Sequence, residues 1–137
     1  MTVLDLQTIR YINLLDSTSK VKTRKCFNYN NTIFFAVPRQ FVSRAIGPDA
    51  INIKNIQEKI GKRIKIIAEA EGTSDAQRFL REIIYPVRFR GFEIKDNTII
   101  INAGNQNKAA LIGRNRRREA ELQQIIKDTF GMGMKII

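Results

Sequence analysis

Asn31-Thr32-Ile33 and Asn97-Thr98-Ile99 are one tripeptide written twice, 66 positions apart, in a chain of 137 residues. The same register extends in both directions. Val21-Lys22 and Arg24 return as Val87-Arg88 and Arg90, Ile46-Gly47 as Ile112-Gly113, and Ile56 and Ile60 as Leu122 and Ile126. Chance does not hold one offset over such a stretch, so the chain contains an internal duplication. Farther on the offset becomes 70: Gly61 matches Gly131, and Ile64-Lys65-Ile66-Ile67 matches Met134-Lys135-Ile136-Ile137. Four added residues are about one helical turn. The second copy is therefore expected to carry a longer helix with the same face buried.

Each copy reads as helix, strand, strand, helix, helix, strand. In the first, Leu4, Ile9, Ile12 and Leu15 fall at helical spacing over 5–15, and 21–29 and 32–37 are strand-like around the turn formers Asn30-Asn31. Pro38 ends the second strand. A short helix over 40–46 stops at Gly47-Pro48, a second over 51–60 turns Ile53, Ile56 and Ile60 inward and stops at Gly61, and 63–68 alternates as a strand. The second copy gives a helix over 75–84, strands over 87–95 and 98–103, a short helix over 108–112, a long one over 116–130 and a last strand over 134–137. Only Ala70-Glu71-Gly72-Thr73-Ser74 joins the two, and Ser74 with Gln77 fits a capping box that starts the next helix at once. So short a join predicts two domains, 1–70 and 71–137, in a fixed tandem. A copy of this size is near the lower limit for an independent core, so the two are expected to lean on each other.

Apolar residues make up 43 % of the chain and are spread evenly, which marks it as folded. No apolar run is long enough to span a membrane, and Asp5 and Arg10 interrupt the first fifteen residues unlike a signal peptide, so a cytoplasmic protein without a membrane partner is expected. Lys and Arg number 24 against 13 Asp and Glu, for a net charge of +11. Counted to Glu71, the first copy holds 12 against 6 and the second 12 against 7, or +6 and +5. Basicity thus belongs to the repeated unit, and a basic folded repeat points to a polyanionic partner, most often nucleic acid.

The loop between the paired helices carries the candidate chemistry: Ile46-Gly47-Pro48-Asp49-Ala50 in one copy, Ile112-Gly113-Arg114-Asn115-Arg116 in the other. A helix, a tight glycine-led turn and a second helix bring backbone close to a phosphate and aim a helix N-terminus at it. Alone, such a glycine reads as an ordinary helix-turn-helix corner rather than a binding loop. Repetition, element order and charge together favour a nucleic-acid clamp.

With these elements and loops, the chain resembles a tandem of type II KH domains, an α+β fold in which each domain is a small three-stranded sheet packed against helices. Over its whole length it is similar to the archaeal NusA-like transcription termination/antitermination factors. The family's loop pattern is Gly-x-x-Gly, and this chain departs from it at the closing position, with Ala50 in one copy and Arg116 in the other. The resemblance implies single-stranded RNA held in a groove beside each loop, about four nucleotides per domain. It also implies a role in transcription, with RNA polymerase or other transcription factors as further partners. Two alternatives share the fold and charge: a ribosome-associated or RNA-chaperone KH protein, and an adaptor that has lost RNA binding and meets an acidic protein.

The loops differ. Pro48 lacks an N–H and Asp49 puts a negative charge where a phosphate would sit. The second loop offers Arg114, Arg116, Arg117 and Arg118 at a helix N-terminus, where cations oppose the dipole unless a ligand is present. Arg44 and Lys108 flank the loops, and Lys65 and Lys135 alternate with apolar residues on the last strands, where they either line a groove or face water. The candidate RNA-binding residues are thus Gly47, Pro48, Asp49, Ala50, Arg44 and Lys65 in one copy and Gly113, Arg114, Asn115, Arg116, Arg117, Arg118, Lys108 and Lys135 in the other. No histidine is present, and the single Cys26 matches Phe92 of the other copy, so catalytic, cofactor and zinc readings find no footing.

Overall fold

The computed structural model describes residues 5–137, and the chain divides into two compact units, Met1–Glu69 and Ala70–Ile137. In the first, helix α1 (Leu6–Ser19) starts where the Asp5 carboxylate accepts the Thr8 N–H at 2.7 Å. That bond holds the Asp5 carboxyl below its usual range. The helix stops at Lys20, whose φ of 62° lets its N–H reach the Asp16 carbonyl. Strands β1 (Lys25–Tyr29) and β2 (Thr32–Val37) form a hairpin closed by Asn30 and Asn31 at φ 51° and 58°, the sign a type I′ turn needs at both central residues. A 3-10 turn over Arg39–Phe41 leads into α2 (Val42–Ile46), then α3 (Ile51–Ile60) and β3 (Arg63–Ala68). β3 lies parallel to β2, giving the order β1-β2-β3. A parallel return requires a crossover, which the α2–α3 pair supplies.

Strand alternation then sets the core. Ile33, Phe35 and Val37 of β2 and Ile64 and Ile66 of β3 share one face and pack with Leu15, Ala45 and Ile56 from the three helices.

The second unit repeats the plan with α4 (Ala76–Ile84), β4 (Gly91–Lys95), β5 (Thr98–Asn102), α5 (Gly104–Ile112), α6 (Arg117–Phe130) and β6 (Gly133–Ile136), in the order β4-β5-β6 with β6 parallel to β5. Its hairpin uses Asp96 and Asn97 at φ 51° and 57°. Helix α6 has 14 residues where α3 has 10, and both end on a left-handed glycine, Gly131 and Gly61. The four added residues are therefore one helical turn, and Leu122 and Ile126 stay fully buried as the sequence predicts. Phe79 of α4 closes the core edge-on against Phe130, with ring centroids 5.8 Å apart. The architecture is the expected α+β fold of two three-stranded sheets, each with three helices.

Several local expectations are corrected. Strand pairing begins at Lys25 rather than Val21, because the Thr23 hydroxyl donates to the Ala36 carbonyl and accepts the Lys25 N–H, replacing a ladder rung with a side chain. In the other hairpin it begins at Gly91 rather than Val87. The capping box at Ser74 does not form. Residues Thr73–Asp75 make a 3-10 turn, and the Asp75 carboxylate is engaged by Arg78 through Nε at 3.0 Å and Nη2 at 2.6 Å. Helix α5 starts four residues before Lys108. Ile9 is 39 % exposed, whereas Ile53 and Ile60 are half-buried and pack, as expected, against the core that Leu15 and Ile56 enter fully. Leu4 lies outside the described residues.

Candidate nucleic-acid interface

The corner between the paired helices has one backbone in both units. Gly47 sits at φ 79°, ψ 164° and Gly113 at 76°, 172°. Asp49 and Asn115 follow at 54°, 29° and 55°, 29°, then Ala50 and Arg116 at 57°, 33° and 57°, 26°. The leading position needs glycine, since its φ and ψ lie in a region closed to residues with a Cβ. The two closing residues are left-handed. Asp and Asn tolerate that conformation, whereas Ala and Arg adopt it at a cost. The two corners therefore take one course although neither closes on a glycine.

Hydrogen bonds pin the corner identically. Gly47 N–H donates to Ser43 and Gly113 N–H to Ala109; Ala50 N–H donates to Gly47 and Arg116 N–H to Gly113. A side chain from the following helix also braces the preceding one: Asn52 Nδ2 donates to the Arg44 carbonyl at 3.1 Å, and Arg118 Nη1 to the Ala110 carbonyl at 3.1 Å. Residues 52 and 118 occupy the same place in the repeat.

What remains unpartnered differs. In the second loop the N–H groups of Arg114 and Asn115 make no hydrogen bond among the described residues; in the first, Pro48 has none to offer and Asp49 supplies the only equivalent donor. Two backbone donors at the head of a 14-residue helix suit an anion. The four arginines also separate into roles. Arg118 is half-buried and tied to Ala110. Arg116 is held by Glu119, Nε to Oε1 at 2.8 Å, which raises its pKa. Arg114 and Arg117 are exposed, with no ion pair among the described residues. Glu119 was not foreseen; its spacing of three from Arg116 on a helix was the available signal. It places a carboxylate in the first turn of α6, where it offsets part of the unfavourable meeting of arginine and dipole.

The other predicted residues scatter. Arg44 is exposed on α2 with its guanidinium 6.0 Å from the Phe41 ring centroid, and Lys108 is exposed on α5. Pro48 and Asp49 are exposed at the tip of the first loop. Lys65 and Lys135 are not brought to the loops. Their neighbours Ile64, Ile66, Met134 and Ile136 are buried, so parity puts both lysines on the sheet face away from the helix pairs. There Lys65 Nζ lies 5.9 Å from the Phe34 ring centroid. Cys26 is half-buried, and its thiol is pushed up to about 12 by burial first and the charge of Asp5 second. No helix is long and apolar enough to cross a membrane among the described residues.

Comparisons with known proteins point the same way. The KH domain family model matches residues 32–81, from β2 through the first corner to α4. A probable transcription termination protein NusA of Halococcus morrhuae is 25% identical over 129 residues, covering 88% of this chain and 91% of that one. Its namesake in Methanocaldococcus jannaschii is 25% identical over 128 residues, covering 90% of this chain and 68% of that one. Among solved structures, the crystal structure of APE1850 matches 97% of this chain and 99% of that one with a TM-score of 0.67 and 24% identity, a likeness of fold.

Proposed function

For this tandem of KH domains, similar along most of its length to archaeal NusA proteins, we propose a non-enzymatic role: binding single-stranded RNA on nascent transcripts, in termination or antitermination. The observation that carries the reading is the corner built twice with one backbone and unequal chemistry. The second corner joins two unpartnered N–H groups to exposed Arg114 and Arg117 at a helix N-terminus, a combination suited to phosphate oxygens. The first keeps the geometry but presents Pro48 and Asp49. We assign the main RNA contact to the second domain, at Gly113 to Arg118 with Lys108, and a weaker one to the first, at Arg44 and Gly47 to Ala50. Contact with RNA polymerase or another transcription factor belongs to the same proposal and draws on the names of the relatives.

The test is binding of labelled single-stranded RNA to the full chain by fluorescence anisotropy across a salt series. If about four to six phosphates are neutralised, log K against log salt falls with a slope of about −3 to −4. Duplex RNA of the same sequence binds more weakly, since this kind of groove reads unstacked bases. A flat salt response, or a preference for duplex, overturns the reading.

A further inference from the structure

At the opposite end of α5 from the loop, the second unit holds a recess of about 410 Å³ whose side chains are nearly all amides, with one arginine. Asn102, Asn105, Gln106 and Asn107 line it, and Arg90 stands at its side. The arginine is fitted there. A Cβ on Gly104 would meet Arg90 Nε at 3.0 Å and Cδ at 3.1 Å, so the Arg90 side chain lies directly against bare backbone. Each amide keeps unused capacity. Asn107 Nδ2 donates to the Arg88 carbonyl at 2.8 Å, leaving its Oδ1; Asn102 Oδ1 accepts the Gly104 N–H at 3.2 Å, leaving its Nδ2. Asn105 and Gln106 are exposed and make no side-chain hydrogen bond among the described residues.

Resting on the RNA-binding reading, we infer that this recess takes a purine base of the same strand and supplies the sequence preference that a phosphate clamp lacks. An amide side chain offers donor and acceptor side by side, the pattern that pairs bidentately with adenine, and a guanidinium pairs with guanine or stacks on either ring. The volume is in the range of a single small-molecule site. The path is also present. From Asn105 in the recess to Gly113 in the loop α5 rises by about 12 Å, and Asn105, Ala109 and Gly113 follow one another at steps of four with exposed Lys108 beside them. The first unit lacks the feature. There Pro38, Arg39 and Phe41 stand where Gly104, Asn105 and Asn107 do, and a 3-10 turn replaces the first turn of the helix.

The test compares oligoadenylate and oligouridylate of equal length on the full chain, alongside Asn105→Ala/Gln106→Ala and Arg90→Ala. All three side chains are exposed, so the fold is preserved, and circular dichroism checks this. The parent should prefer the purine strand by about tenfold, the scale of a good bidentate contact, and the double variant should lose that preference while keeping its affinity for oligouridylate. Arg90→Ala should reduce the preference as well. A double variant that still prefers the purine strand, or a parent that binds both strands equally, overturns the inference and leaves phosphate binding standing. A parent that binds neither strand overturns the RNA-binding reading with it.

Discussion

Gly113→Ala tests whether the corner's backbone is what the fold protects. At φ 76°, ψ 172° an alanine would occupy a region essentially confined to glycine, at a cost of about 1–3 kcal/mol. Its Cβ would also lie 2.8 Å from Arg118 Cγ, 3.0 Å from Arg118 Cβ and 3.1 Å from the Arg118 nitrogen. The Cγ can swing aside only by breaking the bond from Arg118 to Ala110; the nitrogen and Cβ belong to the first turn of α6 and do not move separately. Overpacking of this kind costs about 1–3 kcal/mol, and the stiffer unfolded chain returns roughly 0.4–1 kcal/mol. The net loss is about 3 kcal/mol, a large share of the stability of a small domain.

Gly131→Ala is the control. It is left-handed at φ 66°, ψ 27°, but a Cβ there meets nothing within 4 Å, so only a backbone cost of roughly 1 kcal/mol remains, largely offset by the same unfolded-state effect. Urea unfolding followed by far-ultraviolet circular dichroism measures both, and RNA anisotropy shows whether the corner still binds. The reasoning is refuted if the two variants are equally stable, or if Gly113→Ala lies within about 0.5 kcal/mol of the parent, the range of ordinary surface changes.

Arg114→Ala/Arg117→Ala should weaken RNA binding at least tenfold and leave the urea midpoint unchanged, the scale of losing charge-assisted phosphate contacts, whereas Arg118→Ala should shift the midpoint through the lost brace to Ala110. Ala50→Gly removes a left-handed Cβ from the first corner, a gain of about 1 kcal/mol that the looser unfolded chain largely offsets, so the same denaturation curves should show that unit within about 0.5 kcal/mol of the parent. The raised Cys26 pKa means that the folded state holds the thiol proton while the unfolded chain releases it above 9.0. Stability should therefore be unaffected below that pH and fall between 9.0 and about 12, a decline that Cys26→Ser should flatten.

Much of this fold was legible because the duplication made each copy a check on the other. The change of offset from 66 to 70 located one helical turn in α6, and the alternation of 63–66 placed Lys65 opposite the core. Element starts were less legible, because side chains decide them. Thr23 takes over a ladder rung next to β1, and the 3-10 turn over Thr73–Asp75 draws Ser74 in and leaves Asp75, not Ser74, at the head of α4. Within the site, the positions of the corners were readable but their conformation was not. The alanine and arginine at the closing positions argue against a left-handed backbone in isolation, and the tertiary brace from Asn52 or Arg118 acts across eight residues that no local pattern displays. The amide recess escaped notice because Asn and Gln in sequence read simply as polar surface.

Because the leading and the two closing residues of the corners share their dihedral angles to within 8°, their chemistry should be separable from their geometry. Grafting the second tip onto the first, as Pro48→Arg/Asp49→Asn/Ala50→Arg, restores a missing N–H donor and removes a carboxylate. It also adds two guanidinium groups, with every new residue in a conformation its counterpart already adopts at 114–116. Asn52, the brace at the equivalent of Arg118, is untouched, so the corner keeps its anchor to Arg44. The grafted chain should bind a single strand long enough for both domains more tightly than the parent, since a second engaged clamp raises the effective concentration of the first. Its salt slope should steepen by about 0.7 for each phosphate gained. Affinity for a strand too short to reach both corners should rise far less. An unchanged slope with the fold intact would mean that the first corner does not face the strand, and that the repeat was retained there for packing alone.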